Sequence, residues 1–321
     1  HGLRLRGEAR VDPMGEGSWR LHEAEIDLGV WFGWLAPGAA PEVADLLIAG
    51  LVNASGEGTW RGGQVGGRAK IALVNGRIES PARKSKFEGV AFTVDIEDLL
   101  TRRTAAGQVF TWTSGRYDLV ELGAGRVEFT LDGDRVKIAL ATIAVFGGEL
   151  AVRSVEFSTK KAEFTASAQM TGVDIGKMVF LLPEILTQAS GRLDGYVDLT
   201  RDAKGISIGE GYLGLRQGEP ATLQFVPRPG VLSAALPPAI NKLYPGILQM
   251  ETAGIPLQAE ELQIRFVPRG DEEGRTAWVH LAGRPVDPAF KGPIDLTLNV
   301  RGPLDEVFNA GANSTLRLMG R

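Results

Sequence analysis

The sequence predicts a mainly β protein: many short antiparallel strands stacked in an elongated array. Three observations carry this. Apolar and polar residues alternate with period two in segment after segment, and such alternation gives a strand one apolar and one wet face. The 42 glycines among 321 residues are about twice the usual share of roughly 7%, and they fall between the alternating runs, where turns are needed. Two stretches also echo each other: Ala54-Ser55-Gly56 upstream matches Ala189-Ser190-Gly191, and Asn75-Gly76 falls at the same offset as Glu210-Gly211. Repetition marks a stack in which each unit buries its face against its neighbours.

In chain order, residues 3–11 (LRLRGEARV) alternate as a strand, and residues 20–30 alternate again on shifting faces. Trp31, Phe32 and Trp34 read as a packing plug beside a turn at Pro37-Gly38; the rival reading is an aromatic platform for a ligand. Residues 41–52 (PEVADLLIAGLV) have helical spacing, with Pro41 suited to a first turn and Glu42 and Asp45 to the positive helix end. Strands follow through Ile71, Leu73 and Ile78 and over residues 87–94, and residues 95–100 (DIEDLL) read as one helical turn.

The strand signal is clearest in residues 126–132 (RVEFTLD), where Val127, Phe129 and Leu131 share one face. Asp132-Gly133-Asp134 turns the chain, and Val136, Ile138 and Leu140 answer on the return. Phe146-Gly147-Gly148 breaks that strand, and the meander continues through Leu150, Phe157, Phe164 and Met170. Residues 172–188 form a second helix candidate, divided by Pro183. From Thr187 to Leu215 the expected order is a helix end, a turn at Gly191, a strand with Leu193, Val197 and Leu199, a hairpin at residues 202–205, a strand with Ile206 and Ile208, and a third strand opened by Gly209 and Gly211. Leu223 and Phe225 form a strand ending at Pro227, residues 237–248 a short amphipathic segment, and residues 262–266, 277–282 and 294–300 the last strands.

The net charge of −4 argues against nucleic acid, which wants a clustered basic face. The densest basic run, Arg83-Lys84-Ser85-Lys86, reads as a solvated edge that discourages strand aggregation. With no cysteine, disulfides and thiolate zinc sites are excluded. No apolar run is long enough to span a bilayer, and a chain beginning at His1 reads as a fragment of something longer.

Catalytic signatures are poor, and the chain is read as a non-enzyme without cofactor or metal. His1, His22 and His280 lack metal-ligand spacing. Residues 209–214 (GEGYLG) match G-x-G-x-x-G, but alternation continues where a dinucleotide site needs a helix to begin, so these are strand glycines. Carboxylate pairs such as Glu121 with Glu128, or Asp132 with Asp134, sit on strands whose acids mark an ordinary wet face.

Residues 146–150 (FGGEL), 172–175 (GVDI), 189–195 (ASGRLDG) and 210–213 (EGYL) resemble the repeat of the AsmA superfamily, which includes TamB-like, YhdP-like and YdbH-like proteins. Residues 125–129 (GRVEF) and 281–285 (LAGRP) resemble the C-terminal region of YdbH-like intermembrane phospholipid transport proteins in particular. The resemblance implies a twisted antiparallel sheet curled into an apolar groove, with a few short capping helices. It also implies a periplasmic bridge, anchored to the inner membrane through a segment outside this sequence. Along its groove phospholipids move between inner and outer membrane, with the membranes or their proteins as partners at its ends. The domains expected are residues 1–100 and 101–230, each a groove repeat with a helix (near 41–52 and 173–188), and residues 231–321, a short helix and terminal strands. The expected lining is Val127, Phe129, Leu131, Ile138, Leu140, Phe164, Val197, Leu199, Ile206, Ile208, Leu223 and Phe225. Alternation alone does not separate such a trough from a dry sandwich core. The alternative function is a structural or adhesive β-solenoid that binds a protein or polysaccharide partner.

Overall fold

The computed structural model describes residues 2–30, 46–82, 84–161, 163–202, 205–233, 245–267, 270, 275–290, 293–301 and 317–319. They are mainly strand and divide into two units: His1–Ala144 with Ala151–Phe164, and Val145–Leu150 with Thr165–Arg321.

The first unit begins with β1 (Leu3–Val11), β2 (Gly17–Asp27), β3 (Leu47–Arg61), β4 (Gln64–Ser80) and β5 (Ser85–Asp98), each antiparallel to the next. β1 pairs with β2, and both its faces are exposed. The β3–β4 hairpin closes on Gly62 and Gly63, whose φ values of 56° and 79° suit a two-residue turn with both centres left-handed. Three short strands, β6 (Arg103–Thr104), β7 (Gln108–Trp112) and β8 (Ser114–Tyr117), lie end to end between β5 and β9 (Val120–Asp132) as one interrupted strand. One interruption is Thr113, whose N–H and hydroxyl both donate to the Glu88 carbonyl. The unit continues into β10 (Arg135–Val145) and β11 (Gly148–Ser158), on the turns expected at residues 132–134 and 146–148.

The second unit contains β12 (Phe164–Asp174), a 3-10 helix (Ile175–Leu181), β13 (Leu186–Ser190), β14 (Arg192–Asp202), β15 (Gly205–Leu215), β16 (Ala221–Phe225) and α1 (Pro245–Ala253). It ends with β17 (Leu257–Phe266), β18 (Ala277–Pro285), β19 (Ile294–Arg301) and β20 (Arg317–Met319). Its core holds Met170, Val173, Leu193, Leu213, Leu232, Met250, Leu257, Leu262, Leu281 and Leu298, each less than a tenth exposed. Part of the cover comes from α1. Its Glu251, 1% exposed, accepts hydrogen bonds from the backbone N–H groups of Val231 (2.9 Å), Leu232 (3.1 Å) and Ser233 (2.7 Å). Three donors satisfy a carboxylate whose burial is otherwise costly.

Several elements differ from the sequence reading. The helix expected over 41–52 meets β3 from Leu47 onward; residues 41–45 lie outside the described set. The apolar periodicity there is served by cross-strand partners instead, Ile48 opposite Ile78 and Val52 opposite Leu73. The helical turn at 95–100 is the end of β5, closed by an Asp98 carboxylate accepting from Leu100 N–H. The helix expected over 172–188 shrinks to the 3-10 segment, capped by Asp174 on Gly176 N–H, and the chain re-enters strand at Leu186. The hairpin at residues 202–205 forms as expected, but Gly209 and Gly211 lie inside β15 and open no third strand. The echoed Ala-Ser-Gly triplets also differ in setting: residues 54–56 sit mid-strand, while Gly191 sits between β13 and β14. Trp31, Phe32 and Trp34 lie outside the described residues.

Candidate functional site

The register of the first unit lines up apolar residues in rows that cross the strands. One row runs Leu3, Ile26, Val52, Leu73, Phe92, Phe110, Val127, from β1 through β2, β3, β4, β5 and β7 to β9. Six spacings of about 4.8 Å make it roughly 29 Å long. A second row runs Leu5, Ala24, Ala54, Ile71, Val94 beside it. Aromatic rings gather where β5 meets β7: Phe92 stacks on Phe110 at 6.3 Å, Phe110 lies 6.0 Å from Trp112, and Trp112 meets Phe87 edge-on at 5.5 Å.

Glycines set the relief of this face. A Cβ on Gly125 would fall 1.9 Å from the Trp112 ring, and one on Gly17 2.5 Å from Trp60, so each ring lies flat on a neighbouring strand's glycine. Leu73 folds in the same way over Gly50 and Gly76. Little covers the face. The buried apolar residues of this unit are Ala24, Leu73, Val90 and Val155 alone among those described; Val52, Ile71, Phe92, Phe110 and Val127 are half-buried, and Leu5 is 60% exposed.

The opposite face is charged and self-neutralising. Opposed residues Glu8, Arg20, Glu57 and Arg68 alternate in sign across four strands. Arg20 lies 3.0 Å from Glu57 and 3.9 Å from Glu8, and Arg68 also binds Glu57. Hydrogen bonds from Arg68, then Arg20, hold the Glu57 carboxyl below its ordinary value. A recess of about 630 Å³ beside this cluster is lined by Arg20, Glu57, Arg68, Lys70 and Asp95 together with Leu21, Ala69 and Ile96. The basic run fits the same picture, with Lys84 3.2 Å from Asp118 and Lys86 paired to Glu88.

The residues expected to line a groove separate by unit. Val127, Phe129 and Leu131 on β9, Ile138 and Leu140 on β10, and Phe164 at the start of β12 are half-buried. Phe164 packs against Phe157 at 5.7 Å. In the second unit Val197, Leu223 and Phe225 are buried at 7%, 3% and 4% exposure, and Leu199 is half-buried. Ile206 and Ile208 take places in β15, but their side chains lie outside the described set. The rows formed by β1 to β7 were missed in the sequence. Their signal was alternation in residues 19–26, 48–54, 65–73 and 87–94, which reveals faces but not which residues stand opposite one another.

Among the described residues no helix is long and apolar enough to cross a membrane, and no group of three or more acidic or histidine side chains could hold a metal ion. The model of the YdbH-like family, described as intermembrane phospholipid transport protein YdbH, matches residues 3–236. The chain belongs to the YdbH-like family. No curated protein and no solved structure matches it. The family gives this chain a role in phospholipid transport.

Proposed function

We propose that the first unit carries phospholipid acyl chains against its apolar face, as a stretch of a periplasmic bridge between inner and outer membrane. The observation behind this reading is the apolar face itself: among the described residues the row from Leu3 to Val127 is half-buried or exposed at every position but Leu73. Soluble proteins rarely expose contiguous apolar surface on this scale without a ligand for it. Each methylene removed from water on such a face contributes about 0.8 kcal/mol. Rings lying flat on glycines keep the relief shallow, and no polar fixture stops a chain along the row, which favours sliding over tight binding. Phosphate headgroups stay in water at the margin of the face.

Val127, Phe129, Leu131, Ile138, Leu140 and Phe164 are assigned to acyl contact, together with Phe92 and Phe110. The buried Val197, Leu223 and Phe225 are assigned to packing. The membranes, or proteins in them, are the partners at either end, and the inner-membrane anchor belongs to a segment outside this sequence.

The test is native mass spectrometry of the chain purified from a Gram-negative host, followed by lipid extraction. Bound phospholipid that is lost in Phe110→Asp and Phe129→Asp but kept in Glu128→Lys is the expected result. A lipid-free protein, or equal losses from both faces, overturns the reading.

A further inference from the structure

The second unit carries a different surface on its wet side. Opposite the core row Gly195, Leu213, Ile264, Val279, Leu298 runs an outer row: Tyr196, Tyr212, Arg265, Trp278, Asn299, crossing β14, β15, β17, β18 and β19. Tyr196 and Tyr212 stand side by side on this face, 45% and 36% exposed. A Cβ on Gly214 would fall 3.1 Å and 3.2 Å from Tyr212 ring atoms and 2.6 Å from its hydroxyl. The Tyr212 ring therefore lies down along its own strand and turns a face outward.

Planar hydrogen-bonding groups flank that ring. Gly214 stands between Asp194 on β14 and Gln263 on β17, and the same row continues to His280 and Thr297. The Arg265 guanidinium is held over the Trp278 ring at 4.8 Å, and among the described residues no carboxylate pairs with it. Glu261 and Asp295 share the face, with Asp194 neutralised by Arg216, so an anionic partner would meet two carboxylates.

We propose that this face binds a neutral polysaccharide chain. A pyranose ring offers an apolar C–H face and an equatorial rim of hydroxyls. Tyr212 and Tyr196 supply the flat apolar partners; Gln263, which spends one N–H on Glu261, keeps its carbonyl and second N–H for the rim, and Arg265 donates. The row spans four strand spacings, about 19 Å, enough for several sugar residues. This surface is independent of the acyl-carrying face of the first unit.

Calorimetric titration of the whole chain with cellohexaose and with chitohexaose tests it. Binding of one or both is expected, weakened about tenfold or more by Tyr212→Ala, the loss of one aromatic stacking partner. Gln263→Ala weakens it less and keeps both rings, so it reports on the site even where Tyr212→Ala disturbs β15. Phe110→Asp, on the other unit, leaves sugar binding unchanged while removing lipid. No heat with either hexasaccharide overturns the proposal, and so does binding that neither Tyr212→Ala nor Gln263→Ala alters.

Discussion

The two units are written in the same code and packed to different ends. In the first, β3 to β5 and β9 alternate apolar and polar side chains, yet apart from Leu73 and Val90 the large apolar ones stay half-buried or exposed. In the second, the same alternation in β16 to β19 ends in closed packing, with Ala221, Leu257, Leu281 and Leu296 nearly inaccessible. The difference lies in cover. The second unit places α1 and the Val231–Leu232 segment, all bearing buried side chains, where the first has none among its described residues. Alternation decides which way a side chain points; only a covering layer decides whether it is dry.

The sharpest way to break that contrast is one charge placed in each unit. Leu257→Asp puts an unpaired carboxylate in the filled core and is expected to cost about 4 kcal/mol or more, read as a collapse of the urea midpoint. Phe110→Asp, on the half-exposed face, is expected to cost about 1–2 kcal/mol and to keep a cooperative transition. Equal losses would mean that the two faces are equally covered.

Next in size is Glu251. Glu251→Leu strands three backbone donors at Val231, Leu232 and Ser233, at about 1–3 kcal/mol for each buried donor left unpaired. Glu251→Gln keeps an acceptor oxygen and loses less. Thermal melts that rank wild type above Gln above Leu confirm that this carboxylate pins the cover. Smaller again is Gly125→Val. It drives the Trp112 ring off the strand, costs about 1–3 kcal/mol by overpacking, and shifts tryptophan emission to the red as the ring meets water.

The smallest effect is the response to acid. Glu57 in the first unit and Asp194 in the second both titrate below their ordinary values of 4.5 and 3.8. Arg68 is the main cause for Glu57; for Asp194 it is the hydrogen bond from Arg216, joined by Gly172 N–H and opposed by partial burial. A lowered folded pKa contributes stability that is present above the unfolded value and lost as pH falls through the folded one. Both units therefore weaken below about pH 4. Added salt should mute the Glu57→Gln effect more than the Asp194→Asn effect, because the Glu57 cluster is more exposed. Equal screening in urea titrations would place the two pairs in the same environment.

The mainly β architecture was legible because period-two runs and turn glycines are local signals. RVEFTLD and its return strand came out as β9 and β10, and the G-x-G-x-x-G match was rightly read as strand, since residues 209–214 lie within β15. The helices were misread where apolar spacing fits either period, as at residues 47–52, because cross-strand neighbours decided it. The candidate face was half legible. Val127 and Phe129 were named from their own strand, but the row partners of Val127, which are Phe110, Phe92 and Leu73, depend on register, a property of pairs. Burial of Val197, Leu223 and Phe225 depends on a cover contributed by segments distant in sequence.

The strand β1 brings Leu3, Leu5 and Val11 to an edge at 41%, 60% and 66% exposure, with Arg4, Arg6 and Arg10 between them. Two copies meeting there antiparallel with Arg6 facing Arg6 would juxtapose like charges; a shift by two residues sets Arg4 against Arg10. Apolar side chains and a basic row thus alternate along β1, and an acidic, apolar-faced strand is the chemical complement of such a pattern.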